Sequence, residues 1–253
     1  MRPQLLWNPR LLVERLAIES IRRRRLARLR NTPARMLHSG HIDSLELLDL
    51  IAGAGVNVIY DIGANVGTWS LLAKSIIPNA KIHAFEPLPE HADAFARACT
   101  GLNDIILHHV ALGSENSTAT LHVTDFSDAS SLLPIAEAGR LHFGIQEAGR
   151  FATTVRRLDD YRAEKQLPWP DVLKLDVQGY ELEVLKGATE CLMHAKAVIA
   201  EVSFVVIYEE QCLFEGVVEL MKERGFRLHA LGVNTSLGRP LVQTDALFVS
   251  SRQ

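Results

Sequence analysis

From Val56 onward, short runs rich in β-branched and apolar residues alternate with stretches of helical periodicity, and this alternation restricts the fold more than any other feature. Residues 58–62, 81–85, 105–110, 172–177 and 198–202 read as strands. Between and after them, residues 68–76, 89–100, 181–192 and 214–224 read as helices. Parallel strands need long crossovers, usually helical, so such a repeat builds a mostly parallel sheet covered on both faces. Ligands then bind beyond the carboxyl ends of the strands, where the strand order switches. Three segments depart from the repeat. Residues 118–124 alternate Thr120, His122 and Thr124 with Ala119, Leu121 and Val123, and read as an additional strand or hairpin arm. Residues 127–149, rich in Gly, Ala and Ser, read as loop with a helical turn or two. Residues 226–231 and 246–249, separated by a turn region at 234–238, read as an antiparallel hairpin at a sheet edge.

The chain has 253 residues, 47% of them hydrophobic, enough for one sizeable core. We divide it into a helical extension, 1–55, and a main domain, 56–253. The extension holds nine arginines up to Arg30, four of them consecutive (Arg22 to Arg25), against Glu14 and Glu19. Leu12, Leu16, Ile18, Ile21, Leu26 and Leu29 are interleaved at roughly helical spacing. Such a segment can pack on the domain, grip an anionic substrate, or anchor peripherally on anionic lipid. A second helix is expected at 44–52, ended by Gly53 and Gly55. The net charge of −3 argues against nucleic acid as a partner. Cys99, Cys191 and Cys212 form no CxxC pair, and no apolar run reaches the length of a membrane span. A cytoplasmic protein is expected, with peripheral contact at the inner face of a membrane open to the basic extension; a homodimer is compatible with the sequence.

The densest chemical signal is Tyr60-Asp61-Ile62-Gly63-Ala64-Asn65-Val66-Gly67-Thr68, a strand running through a glycine-bearing turn into a helix. Gly63 and Gly67 let backbone approach a ligand where a Cβ would collide. Asp61 puts a negative charge in the crevice, which repels a dinucleotide pyrophosphate and attracts an ammonium or sulfonium. The spacing is GxxxG rather than the GxGxxG of nicotinamide-binding folds. Glu86, ahead of Pro87 and 25 residues after Asp61, ends the next strand, where a carboxylate can accept both hydroxyls of a ribose. Ala111 and Leu112 follow the third strand and offer a flat apolar slot for an adenine. Asp176 ends the fourth strand, where cofactor and substrate would meet.

With these residues in hand, the chain resembles the FkbM family of methyltransferases over about residues 57–249. The marks are Asp61 to Gly67, Phe85-Glu86-Pro87, Val110-Ala111-Leu112-Gly113, and Leu173-Lys174-Leu175-Asp176-Val177-Gln178-Gly179-Tyr180-Glu181. They continue through Val184 to Ala188, Glu201, Tyr208 and Asp245 to Val249. The pattern usually has Glu at Gln178. The resemblance implies a doubly wound, seven-stranded α/β fold of the class I, Rossmann-like methyltransferase type. It also implies S-adenosylmethionine as cofactor and O-methylation of a hydroxyl, often on a sugar of a glycan, glycolipid or natural product. A non-sugar hydroxyl, or an inactive relative acting as scaffold, are the alternatives. The cofactor residues are then Asp61, Gly63, Ala64, Asn65, Gly67, Thr68, Glu86, Pro87, Ala111, Leu112 and Asp176.

Methyl transfer to oxygen needs alignment and removal of a hydroxyl proton. Asp176 is the first candidate for base or anchor, Glu201 on the next strand end can share the task, and His142 in the irregular 127–149 segment is a third. A divalent cation between the two carboxylates is a further option, though no third ligand stands out. His108 and His109 read as packed strand residues, Ser130 and Ser131 as acceptor-site or turn residues, and Tyr180 and Tyr208 as stacking faces or core.

Overall fold

The computed structural model describes residues 9–126, 128–232 and 241–252. Helices α1 (Pro9–Arg28) and α2 (Leu45–Ala52) lead into β1 (Val58–Ile62), α3 (Thr68–Ile76), β2 (Lys81–Phe85), α4 (Pro89–Ala98) and β3 (Ile105–His108). Then come β4 (Ala111–Leu112), β5 (Ser117–Thr124), α5 (Glu137–Phe143), β6 (Glu147–Arg156) and α6 (Leu158–Lys165). The chain closes with β7 (Val172–Leu175), α7 (Glu181–Lys186), α8 (Thr189–His194), β8 (Ala197–Ser203), α9 (Phe214–Glu223), β9 (Phe226–Leu231) and β10 (Gln243–Ser250).

Seven strands form one sheet in the order β3-β2-β1-β7-β8-β10-β9. Every pair is parallel except those of β10, which runs antiparallel between β8 and β9. The expected doubly wound, mostly parallel sheet is therefore present, with its closing strands antiparallel at one edge. The chain winds outward from β1 to β3, then restarts at β7 on the other side of β1. That reversal opens a crevice at the carboxyl ends of β1 and β7. Both faces are buried. Tyr60, Phe85, Leu173, Val198 and Phe248 pack toward α7, α8 and α9, while Ile59, Ile82, Val172, Ile199 and Leu247 pack toward α2 and α3. Leu29, Ile42, Leu45 and Leu48 belong to that second cluster, so the end of the N-terminal extension shares a core with the sheet. No helix among the described residues is long and apolar enough to cross a membrane.

Three local readings are corrected. The third strand stops at His108, and Ala111–Leu112 leaves the main sheet to pair with β6. Residues 127–149 hold α5 and the start of β6, a ten-residue strand that forms a second sheet, β4-β6-β5. Half of β6 is exposed, and its less exposed positions mix Gly149 and Thr153 with Phe151 and Val155, so its sequence announces a strand only weakly. The helix expected over 181–192 breaks at Gly187-Ala188, where a Cβ on Gly187 would stand 2.0 Å from the Gly113 carbonyl oxygen. The second piece, α8, is capped from α6: the Asp159 carboxylate accepts the N–H groups of Glu190 and Cys191, each at 2.9 Å. The turn region at 234–238 lies outside the described residues.

Candidate active site

The turn after β1 is fixed by backbone before any side chain acts. The N–H groups of Gly63 and Ala64 both donate to the Phe85 carbonyl at 3.0 Å, hooking the turn onto the end of β2. Gly63 has φ +81°, and a Cβ there would lie 1.9 Å from the Asp176 carbonyl oxygen. Asn65 is also left-handed, at φ +48°. Gly67, at φ +88°, opens α3 and leaves room for the Phe95 ring, 3.0 Å from where its Cβ would be. Gly67 does not line the cavity; its role is to aim the helix.

Glu86 ties the two turns together. One carboxylate oxygen accepts the Asn65 N–H at 3.0 Å, the other the Leu88 N–H at 2.9 Å, with His91 Nδ1 at 3.3 Å from the latter. A carboxylate has about four acceptor positions, so the oxygen that takes the Asn65 N–H keeps one for a hydroxyl. Asp61 is buried and accepts the Ser70 hydroxyl at 2.6 Å. Burial pushes its pKa up to about 6, against the pull of Ser70 and Lys174.

A cavity of about 870 Å³ opens over these turns and continues past the ends of β7, β8 and β10. Its cofactor-side wall includes Asp61, Gly63, Ala64, Asn65, Thr68, Glu86, Pro87, Ala111 and Leu112, so the structure brings together every expected cofactor residue on that side except Gly67. The far end holds Asp176, Gln178 and Glu201. Gln178 Nε2 donates to Asp176 Oδ1 at 2.8 Å and to Glu201 Oε2 at 3.1 Å, bridging the two carboxylates. The amide is oriented by Tyr208, whose hydroxyl lies 3.1 Å from Gln178 Oε1. Gln178 is itself left-handed at φ +54°, and its carbonyl accepts the Ser131 hydroxyl at 2.7 Å. Glu181 braces the same loop by accepting the N–H groups of Val177 at 3.0 Å and Gly179 at 3.2 Å.

Beneath them lies Lys174, a lysine in an otherwise apolar strand and 1% exposed. Its ammonium donates to Asp176 at 3.1 Å and lies 3.4 Å from Asp245. Burial alone would lower its pKa, but Asp176, Asp245, Glu201 and Asp61 outweigh it and hold the ammonium above the usual lysine range. Glu201 goes the opposite way to a paired acid: burial, then the nearby Asp176, raise it well above the ordinary carboxylate range, and Lys174 only partly offsets this. Asp245 accepts a very short hydrogen bond from Ser44, which in turn accepts the Trp69 indole N–H at 2.9 Å.

Other expected residues fall elsewhere. His108 is stacked on Phe85 beside Tyr161, and burial lowers its pKa to about 4; neither it nor the exposed His109 lines the cavity. Tyr208, 1% exposed, borders the cavity and holds Gln178; Tyr180, Ser130 and Ser131 line the cavity as well. His142 belongs to α5, but its side chain lies outside the described residues. Sequence reasoning missed Arg22, Asp43, Ser44, Trp69 and Gln243, all on the cavity wall. Lys174 was legible in principle, since a charge in a buried strand demands partners.

Residues 61–228 match the family described as Methyltransferase FkbM domain, about two thirds of the chain. The chain belongs to that family. Its relatives include Methyltransferase sdnD of Sordaria araneosa, 36% identical over 52% of this chain and 60% of that one. The 2-O-methyltransferase NoeI of Sinorhizobium fredii is 28% identical over 65% of this chain and 70% of its own. The hexuronic acid methyltransferase AglP of Haloferax volcanii is 31% identical over 58% and 56%. The chain thus spans little more than half to about two thirds of these relatives. Among solved structures, a methyltransferase of Agrobacterium tumefaciens superposes with a TM-score of 0.50 at 10% identity, covering 85% of this chain and 63% of that one, a likeness of fold alone. The methyl donor of the FkbM family is S-adenosylmethionine. The wall of this cavity carries groups that would suit it: a carboxylate at Glu86, apolar surface at Pro87, Ala111 and Leu112, and a further acid at Asp61.

Proposed function

We propose that this chain transfers a methyl group from S-adenosylmethionine to a hydroxyl of a sugar or sugar-bearing acceptor, with Glu201 as general base. The observation that carries the reading is the Asp176–Gln178–Glu201 network at the ends of adjacent strands, facing the same cavity as the cofactor wall. When bound, the cofactor supplies a methyl carbon made electrophilic by its sulfonium.

The protein's contribution is to hold an acceptor oxygen in line and take its proton. Two neighbouring carboxylates with divergent environments divide such a task. Asp176, bonded to the Lys174 ammonium, is placed to accept a hydroxyl hydrogen as an anchor. Glu201, raised toward the working pH, is the better proton acceptor. Cavity acids and amides (Asp176, Gln178, Glu201, Gln243) form the kind of polar surface that a polyhydroxylated ring satisfies. The names of NoeI and AglP, one a 2-O-methyltransferase and the other acting on a hexuronic acid, support the same class. The Lys174 ammonium already stands between Asp176 and Asp245, where a cation would otherwise be needed, so turnover is expected to persist in EDTA.

The test is calorimetric titration of S-adenosylmethionine and its demethylated product, followed by transfer of a labelled methyl group to uronic acids, neutral sugars and non-sugar alcohols. Glu86→Ala should weaken cofactor binding about 10- to 100-fold. Binding without turnover on any hydroxyl would make the chain a cofactor-binding scaffold, and turnover only on non-sugars would remove the sugar. Absence of cofactor binding would overturn the reading.

A further inference from the structure

The open side of the cavity differs in character from its floor. Among the exposed lining side chains there are Ile21 and Arg22 from α1, Phe126 after β5, and Phe143 at the end of α5, with His41, Asp43 and Asp128 beside them. Ile21 is 53% exposed, Phe126 50% and Phe143 38%, and Leu141 on the same short helix as Phe143 is 72% exposed. Single exposed apolar residues are ordinary. Apolar residues from α1, the β5 loop and α5 converging on one opening are not, and mark a surface made to be covered.

Charge says by what. The first thirty residues carry nine arginines and two acids, a net +7, while the whole chain is −3, so the remaining residues carry −10. Three of those arginines are paired, Arg23 with Glu19, Arg25 with Glu46 and Arg28 with Asp49. Arg22, Arg24 and Arg30 make no ion pair among the described residues, and Arg22 stands on the lip itself. Asp43 and Asp128 are the acids of the lip, and Asp43 lies in the field of Arg25 and Arg22. Arg24 and Arg30 line a separate cleft along α1, so the lip itself sets its apolar rim beside Arg22; rings entering the headgroup boundary and a guanidinium meeting anionic lipid are how such a surface lies in a lipid interface. A duplex polyanion would use the arginines and leave the phenylalanines idle.

We infer that this lip docks on an anionic lipid surface. If so, the acceptor hydroxyl is presented from the plane of that surface, on the head of a lipid-anchored molecule; this consequence rests on the methyl-transfer reading, the docking does not.

The experiment is flotation of the full chain with vesicles of phosphatidylcholine alone and of phosphatidylcholine with phosphatidylglycerol, at about 0.15 M salt. No cofactor or acceptor is needed, so flotation can succeed even if methyl transfer fails. The wild type should float with anionic vesicles and not with neutral ones. Arg22→Glu should lower partition more than tenfold, at about fivefold per unit charge. The double variant Phe126→Ser, Phe143→Ser should also lower it about tenfold, with an unchanged unfolding midpoint as the check on folding. A wild type that stays unbound by anionic vesicles overturns the proposal. So does a double variant that floats like the wild type, since the arginines alone would then be a general polyanion patch.

Discussion

At the cofactor end of the cavity, the contacts are made by backbone: the Gly63–Gly67 turn, two N–H groups held by Phe85, and one carboxylate pinned between two turns. At the acceptor end they are made by side chains drawn from distant segments: Ser44, Ser131, Asp176, Gln178, Glu201, Tyr208 and Asp245. The first arrangement is rigid and local, suited to a ligand that never changes. The second is a hydrogen-bonded network whose shape and protonation can be altered one residue at a time without moving a strand. The difference implies that damage at the first end should appear as lost folding and cofactor affinity, and damage at the second as lost turnover with the fold intact.

The largest expected effect tests the rigid end. Gly63→Ala adds strain at a left-handed φ and drives a Cβ into the Asp176 carbonyl, with backbone on both sides unable to yield. We expect a loss of roughly 3 kcal/mol or more in urea unfolding, with cofactor binding abolished. Gly101, at φ +82° with nothing within 4 Å of its would-be Cβ, is the matched control. Gly101→Ala should cost only about 1 kcal/mol. Equal losses at the two glycines would show that the close approach at Gly63 does not matter.

The same contrast explains what could be read from sequence. Asp61, Gly63, Asn65 and Glu86 were legible because a strand, a turn and a helix follow one another within a few residues, and their spacing carries the geometry. Asp176 and Glu201 were legible as strand ends. Gln178 as a bridge was not: its role depends on a left-handed backbone and on Tyr208, thirty residues away in sequence, pointing its hydroxyl at the amide. Nor were Ser44 and Arg22, which reach the cavity only because the extension packs on the sheet through Leu29, Ile42 and Leu45. The second sheet was hidden for another reason, the mix of Gly149 and Thr153 with Phe151 and Val155 on the less exposed side of β6.

Next in size is the acceptor end. Glu201→Gln keeps the shape and one acceptor oxygen but cannot take a proton. Turnover should fall about 10²- to 10⁴-fold while cofactor affinity stays within about twofold. In the wild type, kcat/KM should rise with pH through the elevated pKa of Glu201, placing the acid limb above the ordinary carboxylate range. A limb at ordinary carboxylate pH would assign the base elsewhere.

Asp61 offers a smaller, thermodynamic test. Its folded pKa of about 6 lies above the ordinary 3.8, so the folded state favours the protonated acid. The stability tied to that proton is fully present below pH 3.8 and is lost as pH rises through about 6. Asp61→Asn, which keeps an acceptor for Ser70, should therefore be more stable than wild type by on the order of 2 kcal/mol at about pH 7.5. The advantage should vanish in acid, and cofactor affinity should drop. A stabilisation independent of pH would mean the buried charge is not its source.

The smallest change is aimed at the bridge. Gln178→Glu changes a single heavy atom, amide nitrogen to oxygen, and leaves the loop's brace, Glu181, in place. It replaces the donor between Asp176 and Glu201 with a third carboxylate, in the place where the family resemblance leads one to expect Glu. Like charges raise one another's pKa values, so Glu201 should hold its proton to still higher pH. On the acid limb of the profile the rate should fall about three- to tenfold relative to wild type, recovering toward it as pH rises, with cofactor binding unchanged. Recovery is what separates a positioning role from a structural one, because a misfolded loop would lose activity at every pH. A rate that instead becomes dependent on added divalent cation would show that the donated amide hydrogens stand in for a metal, and that the acceptor end differs from the cofactor end in being one substitution away from different chemistry.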